Sequence, residues 1–145
     1  MGAWSEYPDG NDYNIDLFSY FLNQYFEWCE NNDDKVLEYD PKNPSDPGLG
    51  IRMQIRMGGS PDFSESDLED KNMEVFLQLL KNYNKHHDSN EVVGLAISLA
   101  RVMNNEKFGI GVTDLPEKNL LSDNIKSFIR DNVGIEDEKV LEFFN

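Results

Sequence analysis

The stretch that decides the fold is EVVGLAISLARVMN, residues 91–104. Ser98 and Arg101 are the only polar residues between positions 92 and 103. A helix that is apolar on all sides is typically buried. Small residues, which let neighbouring helices approach the backbone at a tolerable cost in helix propensity, stand at Gly94, Ala96 and Ala100. The sequence therefore predicts a buried central helix, Glu91–Asn104, on which the rest of the chain packs.

Four further helices are predicted from apolar residues spaced three and four apart. They cover residues 12–31, with Asp12 or Asn14 as the N-cap, and then residues 64–86, 116–132 and 136–144. The first carries a broad aromatic face, which is typical of a helix packed on a core. At 145 residues the chain has the usual size of one domain. We therefore expect a single, mainly α domain over residues 1–145, with four to five helices around the central one.

The remaining segments are predicted to be a small β element, an arm and a connection. Residues 49–57 alternate between apolar and polar side chains, as in a strand, and residues 108–112 are a candidate partner strand weakened by two glycines. Residues 1–11, which contain the turn sequence Pro8-Asp9-Gly10, are expected to form an ordered N-terminal arm. Residues 32–48 combine acids with prolines and are expected to form an irregular acidic connection.

The charge and the cysteine content exclude several classes of function. A net charge of −15 repels nucleic acid and either keeps the protein soluble or attracts a basic partner. The single cysteine, Cys29, cannot form an internal disulfide. No apolar run approaches the roughly 18 residues that span a bilayer, and no signal region opens the chain. We therefore expect a cytoplasmic protein without direct contact to nucleic acid or membrane.

The usual catalytic patterns are missing from the sequence. It contains no glycine-rich phosphate loop, no nucleophile elbow and no Cys-x-x-Cys pair. A continuous helix would bring His87 and Glu91 together as metal ligands, but the segment Asp88-Ser89-Asn90 is expected to break it. The sequence therefore predicts no catalytic residue and no cofactor, and it favours binding over catalysis.

One carboxylate pattern leaves an enzyme open as an alternative. The spacing Glu27-x-x-Glu30 resembles half of the magnesium-binding motif of all-α nucleoside triphosphate pyrophosphatases, but the second half of that motif has no clear match. In this alternative the protein is a metal-dependent hydrolase, and its ligands are Glu27, Glu30, Glu69 and Asp70. The alternative predicts that Mg²⁺, Mn²⁺ or Zn²⁺ raises the midpoint of thermal unfolding.

The N-terminus carries a resemblance to a known family. The opening Met1-Gly2-Ala3-Trp4-Ser5, followed by Gly10-Asn11-Asp12 and by Asp16 at the start of a helix, resembles the bacterial domain of unknown function 4259 family. Members typically open with Met-Gly-Ala-Trp and continue with an Asn-Asp-Asp run, where this chain has Tyr13 in the third position. The resemblance covers about 20 residues and implies a bacterial, mostly helical, cytoplasmic protein with no established activity.

These observations lead to one functional hypothesis and a second alternative. A compact, strongly acidic domain is typical of an inhibitor or immunity-type protein that neutralises a basic partner such as a toxin or nuclease. The residues expected to contact that partner are Asp33, Asp34, Glu38 and Asp40, with Trp4 or Tyr7 as an aromatic anchor. In the second alternative the chain is a structural subunit of a homo-oligomer, joined through its aromatic first helix or through Phe143 and Phe144.

Overall fold

The computed structural model describes residues 3–31, 70–104, 106–107 and 109–145. For residues 26–31 and 70–72 it describes the backbone alone. Within these ranges the chain forms five helices: α1 (Asp12–Asn31), α2 (Asp70–His86), α3 (Ser89–Met103), α4 (Asp123–Asn132) and α5 (Glu138–Phe143). The predicted mainly α fold of four to five helices is confirmed. Every helix in the described ranges is too short or too polar to cross a membrane.

The central helix, α3, is buried over most of its length, as predicted. Each residue from Val92 to Val102 is buried, and α3 packs against both α1 and α2. Its N-terminus is closed by a capping box, in which Asp88 accepts a hydrogen bond from the backbone N–H of Glu91 while the Glu91 carboxylate accepts one from the backbone N–H of Asp88. Such a cap typically contributes about 1 kcal/mol and fixes where the helix begins.

Aromatic side chains of α1 and α2 fill the core beside α3. Phe76 stacks on Phe21 and Tyr25, with ring centroids 5.9 and 4.3 Å apart. The Tyr83 hydroxyl donates a hydrogen bond to Gln24 Oε1 at 2.7 Å, so that its polar end is satisfied inside the core. The described part of the aromatic face of the first helix, Phe18, Phe21 and Tyr25, therefore points inward, as its spacing predicts.

Residues 3–11 fold into a tight loop that lies on α3. Ala3 and Asn11 form an isolated antiparallel bridge, and the backbone N–H of Trp4 donates to the carbonyl of Gly10 at 2.9 Å. A Cβ atom on Gly94 would lie 2.9 Å from the carbonyl oxygen of Pro8. A Cβ there would also lie 2.5 Å from Asn14 Nδ2, so the small residue in the central helix admits both the neighbouring helix α1, as the sequence suggested, and the N-terminal arm.

The structure describes residues 109–112 of the candidate strand at residues 108–112, and these residues form a turn. The prediction of a strand is therefore wrong for them. The backbone N–H of Val112 donates to the carbonyl of Gly109 at 3.3 Å. Gly109 and Gly111 have φ angles of 105° and 91°, in the left-handed region that glycine tolerates and a strand does not use. The predicted strand at residues 49–57 lies outside the described residues.

Side-chain caps move two helix starts away from their predicted positions and replace the predicted cap of a third. Helix α4 begins at Asp123 instead of Pro116, because Ser122 accepts a hydrogen bond from the backbone N–H of Ile125. Helix α5 begins after Asp137, whose side chain accepts from two backbone N–H groups. Helix α1 begins at Asp12, as predicted, but its cap is Asn11, whose Oδ1 accepts a hydrogen bond from the backbone N–H of Asn14 at 2.8 Å. Each cap is thus a residue that sequence spacing alone did not select.

Candidate functional site

The residues that the sequence singled out fall into two groups in the structure. Tyr7 is buried in the core and Trp4 is partly buried against it, so neither presents a fully exposed ring. The other candidates lie outside the described residues or have side chains that are not described: Glu27, Glu30, Asp33, Asp34, Glu38, Asp40, Glu69 and Asp70. Among the residues with described side chains, no cluster of three or more His, Cys, Asp or Glu residues is placed to hold a metal ion.

A buried ion pair fixes the N-terminal arm to the central helix. Arg101 Nε donates to the Asp9 carboxylate at 2.8 Å, and its Nη2 group donates to the backbone carbonyl of Asp114. Burial raises the pKa of Asp9, while the charge and the hydrogen bond of Arg101 oppose that rise. The pair holds the arm in the position from which it forms one wall of the cleft described next.

An acidic cleft lies where the arm, the start of α3 and the connection between α4 and α5 meet. It has a volume of about 450 Å³ and is called the larger cleft below. Exposed carboxylates line it at Glu6, Asp88, Glu136 and Asp137. Apolar side chains line it at Pro8, Val93, Ile135 and Val140. No lysine or arginine is among the described residues that line it, so the larger cleft combines an apolar surface with negative charge.

A second cleft of about 200 Å³, the smaller cleft, shares Pro8, Asp88 and Asn90 with the first. Tyr13 and Glu91 complete its outer wall, and 55% of Tyr13 is exposed. Partial burial raises the pKa of Tyr13, and the negative charges of Glu91 and Asp88 raise it further. The two clefts lie side by side, and together we call them the acidic groove.

A buried amide belongs to the wall of the smaller cleft. Asn14 is only 3% exposed, and its Oδ1 accepts a hydrogen bond from the Ser98 hydroxyl at 2.8 Å. Its Nδ2 group has no hydrogen-bond partner and lies 2.5 Å from where a Cβ on Gly94 would stand. A buried donor without an acceptor costs about 1–3 kcal/mol, so an acceptor that reached this amide would be bound favourably.

The carboxylate of Glu91 is held in place by two contacts. It lies 2.9 Å from His87 Nδ1 and 3.3 Å from the backbone nitrogen of Asp88. The predicted helix break is present, since α2 ends at His86 and α3 begins at Ser89. The capping box nevertheless folds Glu91 back onto His87, whose ring also stacks on Tyr83 with centroids 5.3 Å apart. One carboxylate of the acidic groove is therefore already oriented before any ligand arrives.

The chemistry of the groove suits the binding of a cation. Its walls carry carboxylates, amides and one phenol, which accept hydrogen bonds from cationic donors and present a ring face to them. Apolar side chains beside the carboxylates can cover the aliphatic part of a long basic side chain. The lining of the groove can therefore accommodate a positively charged group.

Sequence reasoning missed this groove because its acids are distant from one another along the chain. Glu6 lies in the arm, Asp88 and Glu91 cap α3, and Glu136 and Asp137 precede α5. The available signal was capping chemistry, since Asp88 and Asp137 stand directly before helices. Their convergence depends on how the arm and α5 pack against α3, which the sequence does not display.

Comparison with known proteins found no matching family model, no similar curated protein and no similar solved structure. The resemblance of the N-terminus to the domain of unknown function 4259 family therefore stays a prediction.

Proposed function

We propose that this chain is an acidic protein-binding domain of the inhibitor or immunity type, which acts in the bacterial cytoplasm and neutralises a basic partner such as a toxin or nuclease. The observation that carries the proposal is the larger cleft, where four exposed carboxylates from three separate segments surround an apolar surface. Such a surface matches a basic protein better than a nucleic acid or an acidic substrate.

Electrostatic complementarity explains how such a domain would act. A net charge of −15 accelerates encounter with a positively charged protein, and the effect weakens as salt screens it. On an enzyme that binds nucleic acid, the carboxylates of the groove occupy the positions that phosphates would take. The acidic segment at residues 32–48, with Asp33, Asp34, Glu38 and Asp40, supplies further candidate contacts.

The test compares two double variants that carry the same charge. Glu6→Gln with Glu136→Gln removes two carboxylates from the larger cleft, and Glu74→Gln with Glu117→Gln removes two exposed carboxylates that line neither cleft. Both change the net charge from −15 to −13. Each tagged protein is used to capture partners from an extract of its own source at low and high salt.

The proposal expects a basic protein that the native chain and the Glu74/Glu117 variant retain at low salt and release at high salt. The Glu6/Glu136 variant should retain clearly less of it, because the two exposed carboxylates in the groove contribute directly to binding. Equal retention by both variants, or binding that does not respond to salt, would contradict the proposal.

A further inference from the structure

The geometry points to an arginine side chain of the basic partner as the occupant of the smaller cleft, stacked on Tyr13 and paired with Asp88 and Glu91. This inference rests on the proposed function and names the chemical group that the groove recognises. The cleft's volume of about 200 Å³ is below that of a typical small-molecule pocket, and it suits one side chain.

The side chain of Tyr13 is the first support. Among the residues with described side chains, Tyr13 is the one aromatic residue that is exposed, at 55%, and it lies at the edge of a cleft lined by two carboxylates. A planar guanidinium stacks on such a ring and donates to a carboxylate at the same time, whereas the compact ammonium group of lysine does not stack. An aromatic ring beside paired acids therefore favours arginine.

Asn14 is the second, independent support. Its Nδ2 donor is buried beside Pro8 in the wall of the smaller cleft and has no hydrogen-bond partner. A cation cannot satisfy a donor, but a carbonyl oxygen of the peptide that carries the arginine can. The cleft thus offers acceptors for a guanidinium, and its wall buries a donor that a small displacement of Asn14 would turn to a main-chain carbonyl; together they describe a peptide and not an isolated metal ion.

The larger cleft continues this arrangement. It adjoins the smaller cleft through Pro8, Asp88 and Asn90, and it adds an apolar surface next to Glu6 and Glu136. The residues that flank the arginine in the partner would lie there, with aliphatic groups against the apolar surface and further positive charge against the rim.

The experiment isolates a single side chain. The full-length ¹⁵N-labelled protein is titrated with two capped tripeptides, Gly-Arg-Gly and Gly-Lys-Gly, and the affinities and shifted amides are read by NMR. We expect the arginine peptide to bind about threefold more tightly, because a guanidinium can stack on the ring and donate to a carboxylate at the same time. The shifts should centre on Tyr13, Asn14 and Asn90.

Variants at one position separate the ring from the rest of the cleft. Tyr13→Leu should remove the preference for arginine, and Tyr13→Phe should keep it, because the ring face is preserved. Glu74→Gln, on the exposed face of α2, is the control. It should lower the affinities for the two peptides equally, and only by the small effect of losing one distant charge.

Three results would overturn the inference. Equal affinity for the two tripeptides would remove the assignment of arginine while leaving a generally cation-binding groove. Shifts that avoid the smaller cleft, or no binding of either peptide, would remove the smaller cleft as a recognition site. The proposed function is judged separately, by the salt-dependent capture with the Glu6/Glu136 variant, so that the two can fail independently.

Discussion

The guanidinium of Arg101 and the carboxylate of Asp9 form an ion pair 2.8 Å apart, with only 3% and 7% of the two side chains exposed. The pair joins the N-terminal arm to the last turn of α3, the central buried helix. Removing either charge leaves the other in a medium that solvates it poorly. Ordering of the arm is therefore coupled to the stability of the core.

Substitution of Arg101 should destabilise the whole domain. Arg101→Met keeps much of the side-chain volume but leaves Asp9 unpaired, and we expect a loss of about 3–5 kcal/mol in the free energy of unfolding. Urea denaturation followed by circular dichroism measures it. Arg130→Met, on the partly exposed α4, should change that free energy by less than about 0.5 kcal/mol. A double variant, Asp9→Leu with Arg101→Met, should recover part of the loss, and failure to do so would show that packing rather than charge dominates.

The Asp9 carboxyl should also give stability a characteristic pH dependence. Burial raises its pKa above the ordinary value of 3.8 despite Arg101. The fold therefore favours the protonated form, so its contribution is fully present below 3.8 and is lost as pH rises through the higher folded pKa. The Asp9→Asn variant has no carboxyl to ionise at this position. Its free energy of unfolding, relative to that of the native chain, should therefore rise as pH increases from 3.8 through the folded pKa of Asp9. NMR titration of the carboxyl carbon gives the pKa, and a value below 3.8 would contradict the argument.

Gly94 should not tolerate a methyl group. A Cβ there would stand 2.5 Å from Asn14 Nδ2 and 2.9 Å from the Pro8 carbonyl oxygen. Alanine usually stabilises a helix interior by about 1 kcal/mol relative to glycine, but displacing the arm should outweigh this and give a net loss of about 1–3 kcal/mol. Gly134→Ala is the matched control, since its nearest atom would be Ser89 Oγ at 3.4 Å. Thermal unfolding of both variants checks the prediction, and a Gly94→Ala protein as stable as the native chain would contradict it.

The buried hydrogen bond between α1 and α2 gives a smaller, well-defined effect. Tyr83→Phe preserves the ring that packs on Phe21 but removes the donor to Gln24 Oε1. We expect a loss of about 1–2 kcal/mol, because a buried acceptor is left without this donor. Tyr20→Phe, at a partly exposed position on α1, serves as the control in the same urea titration. Equal stability of the two variants would mean that water replaces the lost hydroxyl.

The periodicity of the sequence predicted the helical core well because burial and helical spacing are local and regular. Residues 92–102 are apolar nearly throughout, and all of them are buried. The two polar residues among them, Ser98 and Arg101, were recognised as exceptions, but their partners were not. Asn14 and Asp9 are 84 and 92 residues distant along the chain, and no local pattern connects them.

Helix ends were predicted less well because capping side chains compete with one another along the chain. Pro116 is a suitable first residue for a helix, yet Ser122 supplies the actual cap of α4, and the intervening residues are not helical. The acidic groove depends on such ends, since Asp88 and Asp137 are both caps. Its location therefore followed from helix boundaries and from arm packing, neither of which the spacing of apolar residues determines.

The ionisation of Tyr13 tests the electrostatics of the groove directly. Partial burial raises its pKa above 10.0, and the charges of Glu91 and Asp88 add to the rise. Glu91→Gln removes one of these charges while the amide oxygen can still accept from the backbone of Asp88, so the pKa should fall part of the way towards its ordinary value. NMR of ¹³C-labelled tyrosines across alkaline pH measures this pKa, with Tyr13→Phe to assign the signal.

The same pKa shift affects stability. Because the fold favours the neutral phenol, the small contribution of Tyr13 to stability is present below pH 10.0 and is lost as pH rises through the higher folded pKa. An unchanged pKa in Glu91→Gln would show that burial alone sets it, and that Glu91 exerts little charge on a ligand in the smaller cleft.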